Sequence, residues 1–105
     1  MEIQSKSADR NLMLLFSGEM DHHGARNALR EVELAIDAAL PQKLVMDFAG
    51  VTFMDSSGIG LVMGRYKLLS EFNGKLEVTG LSNNAYKVMR LAGLDRIATI
   101  KKGGK

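Results

Sequence analysis

Residues 54–60 read Met-Asp-Ser-Ser-Gly-Ile-Gly, and they mark the place where an apolar segment turns into a helix. Residues 51–54 continue an extended pattern, whereas the apolar residues after Gly58 recur at helical spacing. A strand that leads into a helix is the repeating unit of an α/β sheet. Two adjacent serines stand at this junction, where a hydroxyl can cap the helix, act as a nucleophile or accept a phosphate.

The segments before the junction fit the same class of fold. Residues 2–7 and 11–17 predict an opening antiparallel pair of strands. Residues 24–40 carry apolar side chains at steps of three and four, which indicates an amphipathic helix that Pro41 ends. Residues 43–48 form a short apolar run between helices, as expected of a buried central strand.

After the junction the alternation continues to the end of the chain. The second helix has an apolar stripe made of Ile59, Val62, Met63, Tyr66, Leu69 and Phe72. Asn73-Gly74 ends it, and residues 75–79 predict a strand. Ser82 can cap a third helix, closed by Gly93, whose predicted inward face is Ala85, Val88, Met89 and Ala92. Residues 97–100 predict the last strand, and 101–105 a disordered tail.

The order ββαβαβαβ therefore predicts one α/β domain over residues 1–105, a mixed sheet with helices packed against it. With 105 residues, of which 46% are hydrophobic, the chain has room for one core. Its 14 basic and 12 acidic residues alternate, which argues against a nucleic-acid partner. The absence of cysteine, of a leader pattern and of a long apolar stretch predicts a cytoplasmic protein with no membrane partner.

The serine pair leaves several interpretations open on spacing alone. A capping role explains one hydroxyl, and the second is then free to accept a phosphate in the positive field of the helix start. A hydrolase nucleophile is disfavoured, because the required glycine two residues before the serine is absent. The adjacent His22 and His23 also make a poor choice of general base.

Two further motifs are weak on their own. Gly58-Ile59-Gly60 resembles a pyrophosphate-binding turn, with Glu77 near the distance of a ribose-binding acid, but Glu77 falls in mid-strand. Asp21-His22-His23 could suggest a metal, yet adjacent histidines on a helix point in different directions. A helix cap formed by Asp21 or a histidine is the better interpretation, and no metal site is predicted.

Four segments together carry a family resemblance. Residues 18–23 (Gly-Glu-Met-Asp-His-His), 44–48, 53–60 and 64–67 (Gly-Arg-Tyr-Lys) resemble the STAS-domain anti-sigma factor antagonists, in order along the chain. The Asp-His-His form is similar to the sporulation type. The resemblance implies a binding protein without enzymatic activity, which frees a sigma factor by binding its anti-sigma factor.

The resemblance also implies a switch and its residues. It implies that the partner is itself a serine kinase, which phosphorylates Ser57 with ATP bound to the kinase, and that a phosphatase resets the switch. This chain then needs no cofactor of its own. The partner-binding residues that it implies are Glu19, Asp21, Asp55, Ser56, Ser57 and Gly58. We expect the free protein to be a monomer.

The chain departs from the family at its end, where members usually continue into a C-terminal helix that is missing here. We therefore expect one face or edge of the sheet to be exposed. Two other functions stay open at this point. One is a STAS scaffold or regulatory module for a different partner, and the other is a small nucleotide-binding protein that uses Gly58 and Gly60.

Overall fold

The computed structural model of the protein describes residues 1–71 and 73–103, and the predicted order ββαβαβαβ is confirmed there. The strands are β1 (Glu2–Ala8), β2 (Asn11–Met20), β3 (Lys43–Met54), β4 (Lys75–Leu81) and β5 (Thr99–Lys102). The helices are α1 (His22–Ala39), α2 (Ser56–Ser70) and α3 (Asn83–Leu91), and a 3-10 turn follows at Leu94–Arg96. None of the helices in these residues is long and apolar enough to cross a membrane.

The strands lie in the sheet in the order of the sequence, β1-β2-β3-β4-β5. The first pair is antiparallel, and the remaining neighbours are parallel. Each helix connects one parallel strand to the next strand along the sheet, always in the same direction. Right-handed crossovers therefore place α1, α2 and α3 on one face of the sheet. The predicted central strand is confirmed, because β3 lies between β2 and β4.

The core fills the space between this face and the helices. Burial alternates along the strands, so every second side chain of β2 points into the core. The strands contribute the buried side chains of Leu12, Leu14, Phe16, Leu44, Met46, Phe48, Leu76 and Val78. Helix α1 contributes Ala25, Ala28, Val32 and Ile36, and α2 contributes Leu61, Val62 and Leu69. The helices are thereby fixed relative to the strand ends from which they start.

Helix α3 buries less than its pattern predicts. Met89 is fully buried, but Val88 and Ala92, which were predicted to face inward, are exposed. The 3-10 turn that follows α3 places the side chain of Leu94 in the core at 0% exposure. Leu94 and Met89 together provide fully buried apolar side chains at the C-terminal end of α3. In α2 the predicted stripe holds for Val62 and Leu69, Met63 is exposed, and Phe72 lies outside the described residues.

The predicted disordered tail is wrong for Lys101 and Lys102, which extend β5 beyond its predicted end. The extension is held by the Lys101 ammonium, 3.3 Å from the Glu77 carboxylate, and by register pairing of Lys102 with Leu81. Strand β5 forms one edge of the sheet, and no helix follows it in the part of the chain that the structure describes. Gly104 and Lys105 lie outside that part.

Candidate functional site

Three strand-to-helix junctions lie together at the carboxyl ends of the parallel strands. Strands β2, β3 and β4 are parallel, so the helices that follow them begin at the same edge, where α/β proteins place their sites. Each helix start is capped by a side chain that accepts a main-chain N–H bond. The caps are Asp21 for α1 at 2.8 Å, Asp55 for α2 at 2.8 Å and Ser82 for α3 at 3.1 Å.

At the middle junction the capping residue is Asp55. The interpretation of one serine as the cap is therefore wrong, and Ser56 and Ser57 are the first two helical residues. Asp55 has an extended backbone (φ −112°, ψ −166°), and its carboxylate accepts the N–H of Ser57. Because a carboxylate satisfies this N–H, neither serine hydroxyl is consumed in capping.

The two serines differ in their surroundings. The side chain of Ser56 is exposed, that of Ser57 is partly buried, and Gly58 after them is buried. A Cβ at Gly58 would lie 2.6 Å from Cγ of Met54, so the turn packs its helix closely against the end of β3. The pair thus lies where α2 packs closely against the end of β3, and Ser56 is the more exposed residue of the two.

The turn between β2 and α1 lies beside the serine junction. The main-chain N–H of Asp55 donates to the carbonyl oxygen of Met20 at 3.3 Å, and Met20 pairs with Met54 across the sheet. Asp21 follows directly, with its carboxylate committed to the Gly24 N–H. Glu19, two residues earlier, is exposed. Two acidic residues, Glu19 at the end of β2 and Asp21 directly before α1, therefore lie on the strand end and turn next to Asp55.

The arrangement lacks the contacts of a hydrolase within the described residues. No hydrogen bond there joins a hydroxyl of Ser56 or Ser57 to a histidine ring. His22 and His23 are exposed on α1, and the nearest polar contact of His22 is Arg26 at 3.4 Å. Nor does any group of three metal-ligating side chains occur in residues 1–71 and 73–103. The site offers accessible hydroxyls at a helix start rather than an activated nucleophile.

Glu77 does not lie in a ribose-binding position. Its carboxylate bonds Lys43 at 3.2 Å and Lys101 at 3.3 Å, so it joins β3, β4 and β5. Burial opposes ionisation of Glu77, but hydrogen bonds and the positive charges of both lysines outweigh burial and lower the pKa of its carboxyl. The dinucleotide interpretation thereby loses its proposed acid.

Two features close to α2 were not predicted from the sequence. Among the described residues Arg65 is the one charged side chain that is buried, at 8% exposure, and its Nε and Nη1 have no hydrogen-bond partner there. Burial lowers the pKa of the Arg65 guanidinium, and the negative charge of Glu33 acts in the opposite direction. The predicted apolar stripe of α2 does not include Arg65, although Arg65 is three residues after Val62 and four before Leu69, on the side of α2 that the structure buries.

The second missed feature is a cavity of about 430 Å³ between the end of β3 and the starts of α2 and α3. Its walls are mostly apolar, and Asp55 and Ser56 belong to its lining. No sequence signal indicates this cavity, because the helical pattern predicts that Val88 faces inward, whereas in the structure it is 40% exposed.

Fold and site together define an α/β domain that presents a serine pair at a helix start. The family model of the STAS domain matches residues 2–103, and the chain belongs to this family. An anti-sigma F factor antagonist of Paenibacillus polymyxa is 32% identical over 89 residues, covering 85% of this chain and 76% of that protein. An anti-sigma-B factor antagonist of Listeria monocytogenes is 27% identical, covering 96% and 87% of the two chains.

Solved structures give the same result. The unphosphorylated form of the anti-sigma factor antagonist SpoIIAA superposes with a TM-score of 0.79 at 28% identity, covering 94% of this chain and 87% of SpoIIAA. The phosphorylated form of SpoIIAA from Bacillus gives 0.74 at 28% identity, covering 94% and 90%. The chain is therefore similar to one protein in both of its phosphorylation states.

Proposed function

We propose that this chain is an anti-sigma factor antagonist, which binds an anti-sigma factor and so releases a sigma factor, and which phosphorylation of its serine pair switches off. The observation that carries the proposal is the junction itself. Asp55 caps α2 and leaves the hydroxyls of Ser56 and Ser57 uncommitted. The similarity to antagonists, and to SpoIIAA in unphosphorylated and phosphorylated forms, supports the same role.

A phosphate at this position changes the surface more than the fold. It adds about −1.5 to −2 charges at neutral pH, and a helix N-terminus accommodates negative charge. Asp55 caps the same helix, and Asp21 caps its neighbour. We therefore propose that the phosphorylated protein stays folded and presents a strongly negative edge.

The charge carries a cost that approaches what full control of binding takes. Moving an equilibrium from 1:99 to 99:1 takes about 5.5 kcal/mol. An unpaired charge buried in an interface typically costs about 2 to 5 kcal/mol or more. We propose that Glu19, Asp21, Asp55, Ser56, Ser57 and Gly58 form the surface that contacts the anti-sigma factor. A phosphate inside that surface must lose its hydration next to carboxylates, which weakens the complex.

The acceptor is one hydroxyl of the pair. The family resemblance implies Ser57, and this assignment stays a prediction. On that ground we propose Ser57 as the acceptor. Ser56 is the more exposed residue of the two, so single substitutions of each serine decide between them.

The remaining components belong to the partners. We propose that the anti-sigma factor is the kinase and holds the ATP, that a phosphatase removes the phosphate, and that this chain acts as substrate and binding protein without catalysis. Such a kinase draws on cytoplasmic ATP, so we propose that the protein acts in the cytoplasm. It is proposed to be monomeric when free.

The test is phosphorylation of the purified protein by the source organism's anti-sigma F factor with ATP. Intact mass and peptide mapping should show one phosphate within residues 54–60. Ser56→Ala and Ser57→Ala, each alone, identify the acceptor, and Ser70→Ala serves as a control because Ser70 is an exposed serine at the far end of α2. Phosphate that persists in the Ser56→Ala/Ser57→Ala double variant would contradict the proposal.

A further inference from the structure

The cavity beside the serine pair is built from three elements. The end of β3 supplies Phe48 and Phe53, the first turn of α2 supplies Ile59, and α3 supplies Ala85 and Val88. Its volume of about 430 Å³ lies within the range of sites that hold small molecules or side chains. The hydrophobic core is closed beneath it, since Phe48 is 2% exposed. The cavity is thus a lined depression in the surface and not a packing defect of the core.

Two exposed apolar side chains belong to the lining of the cavity. Phe53 is 50% exposed and Val88 is 40% exposed, and they stand on different elements. Leaving large apolar side chains in water costs free energy that burial against a partner recovers, at about 25 cal/mol per Å². Adjacent exposed apolar residues at a depression are typical of an interaction site.

The cavity is also continuous with the serine pair. Asp55 and Ser56 belong to its lining, so one surface includes both the first serine of the pair and the depression. Ser82 and Asn84, at the start of α3, complete a polar border on the far side. An apolar centre with a polar border is the usual anatomy of a protein interface, and its central pockets hold the residues that contribute most to binding.

We propose that this cavity receives an apolar side chain, aromatic or branched aliphatic, from the anti-sigma factor. The inference rests on the proposed function and extends its contact surface from the serine pair across the end of β3 to α3. A protein partner is the occupant because Asp55 and Ser56, which belong to the surface proposed to contact the anti-sigma factor, also line the cavity.

The same geometry connects docking with the switch. A phosphate on Ser56 would stand in the lining of the cavity, and a phosphate on Ser57 would stand one residue away. Either places a doubly charged, hydrated group beside the position where an apolar side chain must be desolvated. Phosphorylation then opposes docking directly, without a change in fold.

The experiment uses two lysine substitutions on α3. Val88→Lys places a positive charge in the lining of the cavity. Leu91→Lys places the same charge about one helical turn later, at a side chain that is 88% exposed and does not line the cavity. The affinity is measured by isothermal titration with the source organism's anti-sigma F factor, using ADP in place of ATP so that this chain is not phosphorylated. Val88→Lys should have a Kd at least tenfold weaker than that of the wild type. Leu91→Lys should stay within about twofold of the wild type.

Phe53→Ala provides a second variant on another element, and thermal melts verify that each variant folds. We expect Phe53→Ala to weaken binding at least fivefold. Equal affinities for Val88→Lys and Leu91→Lys, with a normal effect of serine phosphorylation, would overturn the cavity proposal and leave the proposed function intact. Failure of the unphosphorylated wild type to bind would instead overturn the proposed function.

Discussion

The Oδ1 atom of Asp55 accepts a hydrogen bond from the main-chain N–H of Ser57 at 2.8 Å. This one contact starts α2 and holds the serine pair at the carboxyl edge of the sheet, while the N–H of Asp55 is anchored to Met20 on the neighbouring strand. The carboxylate thus performs the capping that a serine would otherwise perform, and both hydroxyls stay available for a partner.

Replacing Asp55 tests this division of roles. Asp55→Ala removes the cap and should lower the free energy of unfolding by about 1 kcal/mol, measured by urea denaturation. Asp55→Asn keeps an oxygen acceptor of the same reach and should stay within about 0.5 kcal/mol of the wild type. If both variants unfold at the wild-type urea concentration, the Asp55–Ser57 contact does not stabilise the helix start.

The glycines of α2 should respond to alanine with opposite signs. Gly58→Ala would place a Cβ 2.6 Å from Cγ of Met54, and it should destabilise the protein by about 1 to 2 kcal/mol. Gly60→Ala meets no heavy atom within 4 Å and should stabilise the helix by about 0.5 to 1 kcal/mol. Paired thermal melts of the two variants are the measurement, and a stabilising Gly58→Ala would refute the close packing at the junction.

Arg65 is expected to cost stability rather than provide it. Its Nε and Nη1 are buried with no partner in the described residues, and unsatisfied buried donors carry a desolvation penalty. Arg65→Met keeps an unbranched apolar stem and should leave the free energy of unfolding unchanged or raise it by about 1 kcal/mol. A loss of more than about 1 kcal/mol in urea denaturation would show that attraction to Glu33 outweighs the penalty.

Glu77 should contribute a pH-dependent stability. Its carboxyl pKa is lowered in the folded state, so its contribution is fully present above the ordinary carboxyl value of 4.5 and is lost as pH falls through the folded-state pKa. Both lysine partners are largely exposed, which limits the pairs to about 1 kcal/mol or less. Glu77→Gln should therefore be less stable than the wild type at pH 7, and the difference should shrink as pH falls below 4.5 and disappear once pH is below the folded-state pKa.

Exposed Glu31 on α1 offers the matched control for that pH series. Glu31→Gln should show the wild-type dependence of unfolding on pH. A difference between Glu77→Gln and wild type that persists unchanged into strong acid would show that packing, and not charge, is what the substitution alters.

The sequence predicts the element order because the apolar periods are strong. The 3.6-residue period of α1 and the short apolar run of β3 each leave one interpretation, and both elements occur where they are predicted. Helix α3 was predicted less well. It has nine residues, with Met89 as its buried residue, and so short a helix contains too few apolar repeats to show whether Val88 faces inward or outward.

At the serine junction, the sequence predicts which residues stand at the helix start but not their hydrogen bonds. Ser and Asp are both good caps, and spacing alone does not decide between Asp55 and Ser56; the extended backbone of Asp55 does. The cavity and the contacts of Glu77 depend on which strands become neighbours, and the order β3-β4-β5 is a property of the tertiary fold. Lys101 reaches Glu77 from a segment whose composition resembles a disordered tail.

The central claim is that phosphorylation within the pair Ser56–Ser57 abolishes an interaction that releases a sigma factor. The direct measurement adds this protein to a complex of the source organism's anti-sigma F factor with a fluorescently labelled sigma factor and records displacement by anisotropy. The unphosphorylated protein should displace the sigma factor, and the stoichiometrically phosphorylated protein should require at least a hundredfold higher concentration. Equal displacement by the two forms, or none by either, would contradict the account.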